Sequence, residues 1–155
     1  MKNSFITLIA VCLGIAVFTL SAAAQNPCTE KGSVQRIMKA RSGSLETVTF
    51  EIVGDTLPDT VEVKDAKPPI RNYPGVNLHM RGPFFKMVNL RMVPWTCNIR
   101  ENLGAKTTTI TGVKQTEQFE GYISYVIGYA KRSKYVGTTK STGTKASKVV
   151  VKFRR

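Results

Sequence analysis

The sequence predicts an all-β domain of about eight or nine strands, folded as a small β-sandwich or partly open barrel and preceded by a signal peptide. Apolar and polar residues alternate in short runs, Gly, Pro, Asn and Asp interrupt those runs, and no window sustains the i, i+3, i+4, i+7 pattern of an amphipathic helix. With 155 residues, 42% of them hydrophobic, the chain can bury a core but holds only one ordinary domain.

The elements follow in order. Val48, Phe50 and Ile52 alternate with Thr47, Thr49 and Glu51, so residues 45–53 form a strand with one buried face that ends at Gly54-Asp55. A turn with Pro58 leads to the weaker alternation of 60–64, which Lys67-Pro68-Pro69 breaks. Tyr73-Pro74-Gly75 introduces the short run 76–80, and Gly82-Pro83 ends it. In 84–93, Val88, Leu90 and Met92 share a face until Pro94 terminates the run; this strand and 45–53 form the expected central pair. After a polar loop over 98–105, the Thr-rich run 107–113 favours extended structure. Gly121 precedes what reads as the longest strand, 122–130, with Ile123, Tyr125, Ile127 and Tyr129 on one face and Ser124, Val126 and Gly128 on the other. Both faces are partly apolar, as for a strand covered on both sides. A last hairpin starts at Tyr135-Val136, passes through a flexible Gly/Thr/Ser/Lys tip over 137–147 and returns through 148–153 with Val149, Val151 and Phe153 inward.

Residues 1–24 combine one charge, Lys2, with an apolar run over 5–20 and the small-residue end Ser21-Ala22-Ala23-Ala24. That is the layout of a secretory signal, with Gln25 as the expected mature start; the run is shorter than the roughly 20 residues of a spanning helix, so no membrane anchor is expected after cleavage. The mature chain, 25–155, then keeps two of the three cysteines, Cys28 and Cys97. In an oxidising compartment these form one disulfide, which in the chain-entropy view stabilises by about 4 kcal/mol; two free thiols is the competing reading.

Charge is uneven. Residues 25–65 carry 5 basic and 7 acidic groups, 66–120 carry 8 and 3, and 121–155 carry 9 and none, so the net charges are −2, +5 and +9. Such a field attracts an anionic surface over a Debye length of about 8 Å. Lys131, Arg132, Lys134, Lys140 and Lys145 are the candidate ligand-binding basic patch, with the first three at the base of the last hairpin and the others in its tip. Solubility alone is the bland alternative.

Catalysis finds little support. His79 is the only histidine, without a second His or a local carboxylate, and it serves better as a half-exposed structural residue than as a ligand or base. Glu117 and Glu120 are close in sequence but lack the cleft signal that glycoside hydrolysis requires. The tip 137–145 fails the phosphate-loop pattern, because Thr142 and Gly143 stand where Gly and Lys are needed. No metal or other cofactor is expected. Tyr122, Tyr135 and Trp95 are the candidate stacking residues for sugar rings or bases, whereas Tyr125 and Tyr129 share a face with Ile123 and Ile127 and belong to the core. Trp95 serves equally well as a buried cover for the disulfide.

Glu46-Thr47-Val48-Thr49-Phe50-Glu51-Ile52-Val53-Gly54 with Leu57-Pro58, then Phe119-Glu120-Gly121-Tyr122-Ile123-Ser124-Tyr125-Val126-Ile127-Gly128-Tyr129, and finally Lys148-Val149-Val150-Val151-Lys152-Phe153 together resemble an AMIN-like domain over about 33–153. The chain has Thr47 where that family usually has Arg, and Lys148 and Lys152 where its closing strand commonly has Arg or Leu and Asp. The resemblance implies a non-catalytic β module of the bacterial envelope, exported to the periplasm or beyond, that binds peptidoglycan or another anionic or glycan polymer. The alternative is a small basic secreted protein that attracts polyanions, nucleic acid or anionic membrane, without specificity. Specific nucleic-acid recognition is not expected, and no protein partner is indicated.

Overall fold

Four hairpins build the described part of the chain, a β-sandwich with no helix. The computed structural model describes residues 29–91, 93, 94, 96, 97, 107 and 109–155. The hairpins are β1 (Val34–Ser42) with β2 (Leu45–Val53), β3 (Val61–Ala66) with β4 (Phe84–Arg91), β5 (Ile110–Phe119) with β6 (Tyr122–Tyr129), and β7 (Lys134–Ser141) with β8 (Ala146–Arg154). The first and last hairpins join through β2 and β8 into a sheet of order β1-β2-β8-β7, and the middle two join through β4 and β6 into one of order β3-β4-β6-β5. All these pairings are antiparallel. The expected central pair, 45–53 and 84–93, is therefore split: β2 and β4 are each central, but in different sheets.

Alternation decides which faces meet. Val48, Phe50 and Ile52 of β2 and Val149, Val151 and Phe153 of β8 are fully buried against Val88 and Leu90 of β4 and Ile123, Tyr125 and Ile127 of β6. Burying each such side chain contributes roughly 1.5–3 kcal/mol. Rings cross the interface between the sheets, with Phe50 4.8 Å from Tyr125 and Phe153 5.1 Å from Tyr129. The Tyr125 hydroxyl bonds Thr96 Oγ1 at 2.7 Å, so the polar end of a buried ring is satisfied.

The two-sided burial expected of β6 is present. On its other face Val126 packs with Ile70 and Phe85, joined by Ala66, Leu78 and Met80, and this smaller core lies under the connection 67–83. The run 76–80 therefore contributes core residues from a loop. Its strand-like contact is a single bridge, Arg71 with Asn77, because the prolines and the left-handed Gly75 and Gly82 break the ladder.

Three other elements differ from the sequence expectation. β1 was not anticipated, because a bulge between Val34 and Arg36 sets its buried residues Val34 and Ile37 three apart and hides the period of two. β5 runs on to Phe119 through two bulges, which makes it longer than β6. β7 continues to Ser141, so the tip of the last hairpin shrinks to 142–145, and this tip is fastened: Gly54 N–H donates to the Lys145 carbonyl at 2.9 Å and Ser147 Oγ donates to the Gly54 carbonyl at 2.9 Å. The tight β5–β6 turn has Glu120 and Gly121 both at positive φ, 42° and 77°, the backbone twist that a two-residue hairpin loop demands.

Burial pushes the Tyr125 phenol far above its ordinary value, and burial also raises that of Tyr129. A raised folded-state value stabilises the fold fully below the unfolded phenol value near pH 10 and is lost as pH climbs above it. Alkaline titration is expected to unfold the domain cooperatively from about pH 10 upward, with the last phenolate absorbance appearing together with the loss of β circular dichroism. Complete phenol ionisation in a still-folded protein would refute this.

Candidate functional site

The outer face of the β1-β2-β8-β7 sheet is the basic surface. On β8 the inward set Ser147, Val149, Val151 and Phe153 leaves Lys148, Val150, Lys152 and Arg154 outward. Register sets Lys134 opposite Arg154, Gly137 opposite Lys152 and Ser141 opposite Lys148. Across β8 the partners are Leu45, Thr47 and Glu51 of β2.

The five predicted cations divide between the two ends of this hairpin. Lys131 and Arg132 form the β6–β7 turn beside Lys134. Lys145 stands in the tip, and Lys140 lies opposite the buried Val149, on the core-facing side of an edge strand where it still meets solvent. By register Lys134 and Lys140 lie five β8 residues apart, Arg154 to Val149, or about 17 Å, close to two Debye lengths. The two clusters alone would act as separate fields. On the outer face Lys152, opposite Gly137, lies between them and Lys148, opposite Ser141, carries the row on toward the tip, so that with Arg154 and Arg155 at the other end the cations form one stripe.

Sequence reasoning counted these residues in the basic block but did not assign them to the site; the signal was their alternation with Val149, Val151 and Phe153. Among the described residues, Glu51 is the only carboxylate on the outer face of this sheet, and it accepts from Gln35 Nε2 at 3.0 Å. The three described ion pairs, Lys31–Asp55, Lys64–Glu62 and Lys86–Asp65, all lie outside the stripe. Lys134 facing Arg154 is a like-charge pair, costing roughly 0.2–1 kcal/mol, which a bound anion would relieve.

The predicted aromatic and cysteine residues are distributed differently. Tyr135 is half-buried, its ring 6.1 Å from Phe153 with Lys86 Nζ 5.1 Å from its centroid, and its hydroxyl bonds Thr138 Oγ1 at 2.9 Å. Tyr122 lies on the other sheet, half-buried at the start of β6, far along the chain fold from the stripe. Trp95 and Cys28 lie outside the described residues, as does the segment 1–24. Cys97 is half-buried and its N–H donates to the Val34 carbonyl at 2.9 Å, which ties it to the start of β1.

His79 is exposed in the 67–83 connection and borders a hollow with Pro68, Pro69, Ile70 and Phe85. Glu117 stands in β5 opposite Ser124, and Glu120 in the turn that follows. Among the described residues no three His, Cys, Asp or Glu side chains group to hold a metal ion. None of the described residues forms a helix long and apolar enough to cross a membrane.

A polar network occupies the outer face of the β3-β4-β6-β5 sheet. The buried Asn89 donates to Glu62 Oε2 at 2.8 Å and accepts from Ser124 Oγ at 2.9 Å. The Asn89 amide, aided by Lys64, holds the Glu62 carboxyl below its usual range.

No family model, curated protein or solved structure matches the chain.

Proposed function

We propose that the chain is an exported, non-catalytic binding module that associates with the bacterial cell envelope through peptidoglycan or another anionic wall polymer. The observation that carries this reading is the stripe: Lys134, Arg154, Lys152 and Lys148 on the outer face, extended at one end by Lys131 and Arg132 and at the other by Lys145. A flat row of cations over some 20 Å of strand complements an elongated polyanion better than a compact one. The signal-like segment 1–24 and the AMIN-like strand patterns support export and an envelope ligand. A Cys28–Cys97 disulfide belongs to the same reading, since it would tie the segment before β1 to the backbone already bonded to Val34.

The test is retention of the purified protein on peptidoglycan sacculi and on DNA cellulose at low and high salt. Retention on sacculi is expected to fall as salt rises yet to stay above retention on DNA cellulose at both salts. The triple change Lys131→Ala, Arg132→Ala and Lys134→Ala should weaken binding, with each lost contact lowering the salt slope by about 1. Retention on both supports that vanishes at high salt would favour unspecific polyanion attraction. No retention on sacculi at either salt would refute the peptidoglycan reading.

A further inference from the structure

The edges of the two sheets are not alike. β7 ends one sheet and β3 ends the other, and both lie on the same side of the sandwich: Lys86 Nζ stands 5.1 Å from the ring centroid of Tyr135 in β7 and pairs at 2.8 Å with Asp65 in β3. A seam runs between these two edges. Val61 and Val63 of β3 and Tyr135 of β7 pack against the main core yet stay only partly buried, because each sheet stops here.

Backbone groups also remain for pairing on this side. An antiparallel strand bonds each neighbour through alternate residues, so an edge strand keeps half of its N–H and C=O groups for a further strand. Among the described residues, no backbone bond reaches Lys134–Ser141 except from β8. The bulge in β7 lies between Tyr135 and Gly137, which leaves 137–141 in regular register. Two other edges are already engaged. Tyr73 N–H donates to the Thr116 carbonyl of β5 at 2.9 Å, and Thr96 bridges Val34 of β1, whose carbonyl accepts from Cys97 N–H at 2.9 Å.

Charge selects the occupant. β7 carries Lys134 and Lys140 and no carboxylate, and β8 beside it adds Lys148, Lys152 and Arg154 on the outer face. A second copy is disfavoured, since joining two β7 edges sets cations against cations. Lysines and a bulge are common guards of an edge against its own kind. A strand that bears carboxylates escapes that guard.

We propose that β7 accepts, as a fifth strand of its sheet, an extended segment of a partner protein in which acidic residues alternate with apolar ones. Its acidic side chains lie on the outer face beside Lys134, within the field of the β8 cations. Its apolar side chains turn the other way and cover the seam of Val61, Val63 and Tyr135. Main-chain bonds hold the strand, and the alternating side chains select it. The site does not depend on wall-polymer binding, although both use Lys134.

The test titrates the purified protein, at about 0.15 M salt, with the synthetic peptide acetyl-(Glu-Val)4-amide. Amide resonances and hydrogen exchange report the site. Saturable binding is expected, with shifts and slowed exchange within 137–141. Two N-methylated forms of the peptide separate strand pairing from charge attraction. Methylating the valine amides or the glutamate amides leaves the charge unchanged and removes donors from opposite edges of the peptide strand. One form should lose affinity by about tenfold or more while the other binds nearly as the parent does. Acetyl-(Lys-Val)4-amide should not bind, and the exposed change Lys134→Glu should weaken the acidic peptide by about threefold or more. No saturable binding up to about 1 mM, parental affinity in both methylated forms, unchanged affinity in the Lys134→Glu variant, or shifts that spare β7 would overturn the proposal. Retention on sacculi without peptide binding would remove the edge site and leave the stripe. Peptide binding without retention on sacculi would do the reverse.

Discussion

Replacing Glu46 by alanine is expected to destabilise the protein by about 3–5 kcal/mol, enough to lower its melting temperature by roughly 10–20 °C. Glu46 lies on the core-facing side of β2, in the row of Val48, Phe50 and Ile52, and is 1% exposed. Its Oε2 accepts from the backbone N–H of Thr109 at 3.0 Å, from that of Ile110 at 3.1 Å, and from the Thr109 hydroxyl. These bonds clasp β2 of one sheet to the start of β5 in the other, across 63 residues of sequence.

Removing the carboxylate leaves two backbone donors and a hydroxyl buried without that acceptor, and a buried unmet donor costs far more than a surface contact gains. Glu46→Gln keeps a carbonyl oxygen where all three bonds converge and should cost only about 1–2 kcal/mol. Chemical denaturation of the three proteins checks the order. An alanine variant within about 1 kcal/mol of the parent would show that the clasp is not an anchor.

The second large effect comes from a pair of glycines that face each other across β5 and β6. Gly112 and Gly128 are register partners, yet their surroundings differ. A Cβ on Gly128 would lie 2.4 Å from the Arg81 carbonyl oxygen and 2.7 Å from Thr111 Oγ1, whereas one on Gly112 would meet only Met80 Cε at 3.7 Å. The connection 67–83 crosses the sheet here, held by the Thr111 hydroxyl donating to the Arg81 carbonyl.

Gly128→Ala must therefore push backbone off the sheet and open the smaller core around Val126, at about 1–3 kcal/mol. Gly112→Ala adds an ordinary contact and should stay within about 0.5 kcal/mol. Equal denaturation midpoints for the two variants would show that the crossing is not tight.

Much of the sandwich was legible because its inner strands obey a period of two. β2, β4, β6 and β8 each turn a mainly apolar row to the core, interrupted in β2 by Glu46 and in β8 by Ser147. The edge strands β1 and β5 were harder to read because bulges shift their alternation, and an edge tolerates that shift. Glu46 illustrates a different limit. Its face follows from the alternation, but a carboxylate there reads as a broken pattern until the loop donors that satisfy it are known.

The sequence by itself determined the class of fold, the burial of β6 on both faces and the concentration of positive charge in the last 35 residues. These depend on local periodicity and composition. Only the tertiary structure decided the register of the last hairpin, where a bulge between Tyr135 and Gly137 sets Lys134, Arg154, Lys152 and Lys148 on the outer face and turns Lys140 to the other side. It also decided that the 67–83 connection folds back over β6, raising Tyr73 beside Tyr122 and sealing Asn72 Oδ1 from solvent. Both outcomes depend on register and packing, which are chosen by burial of the whole sheet face and not by any local run.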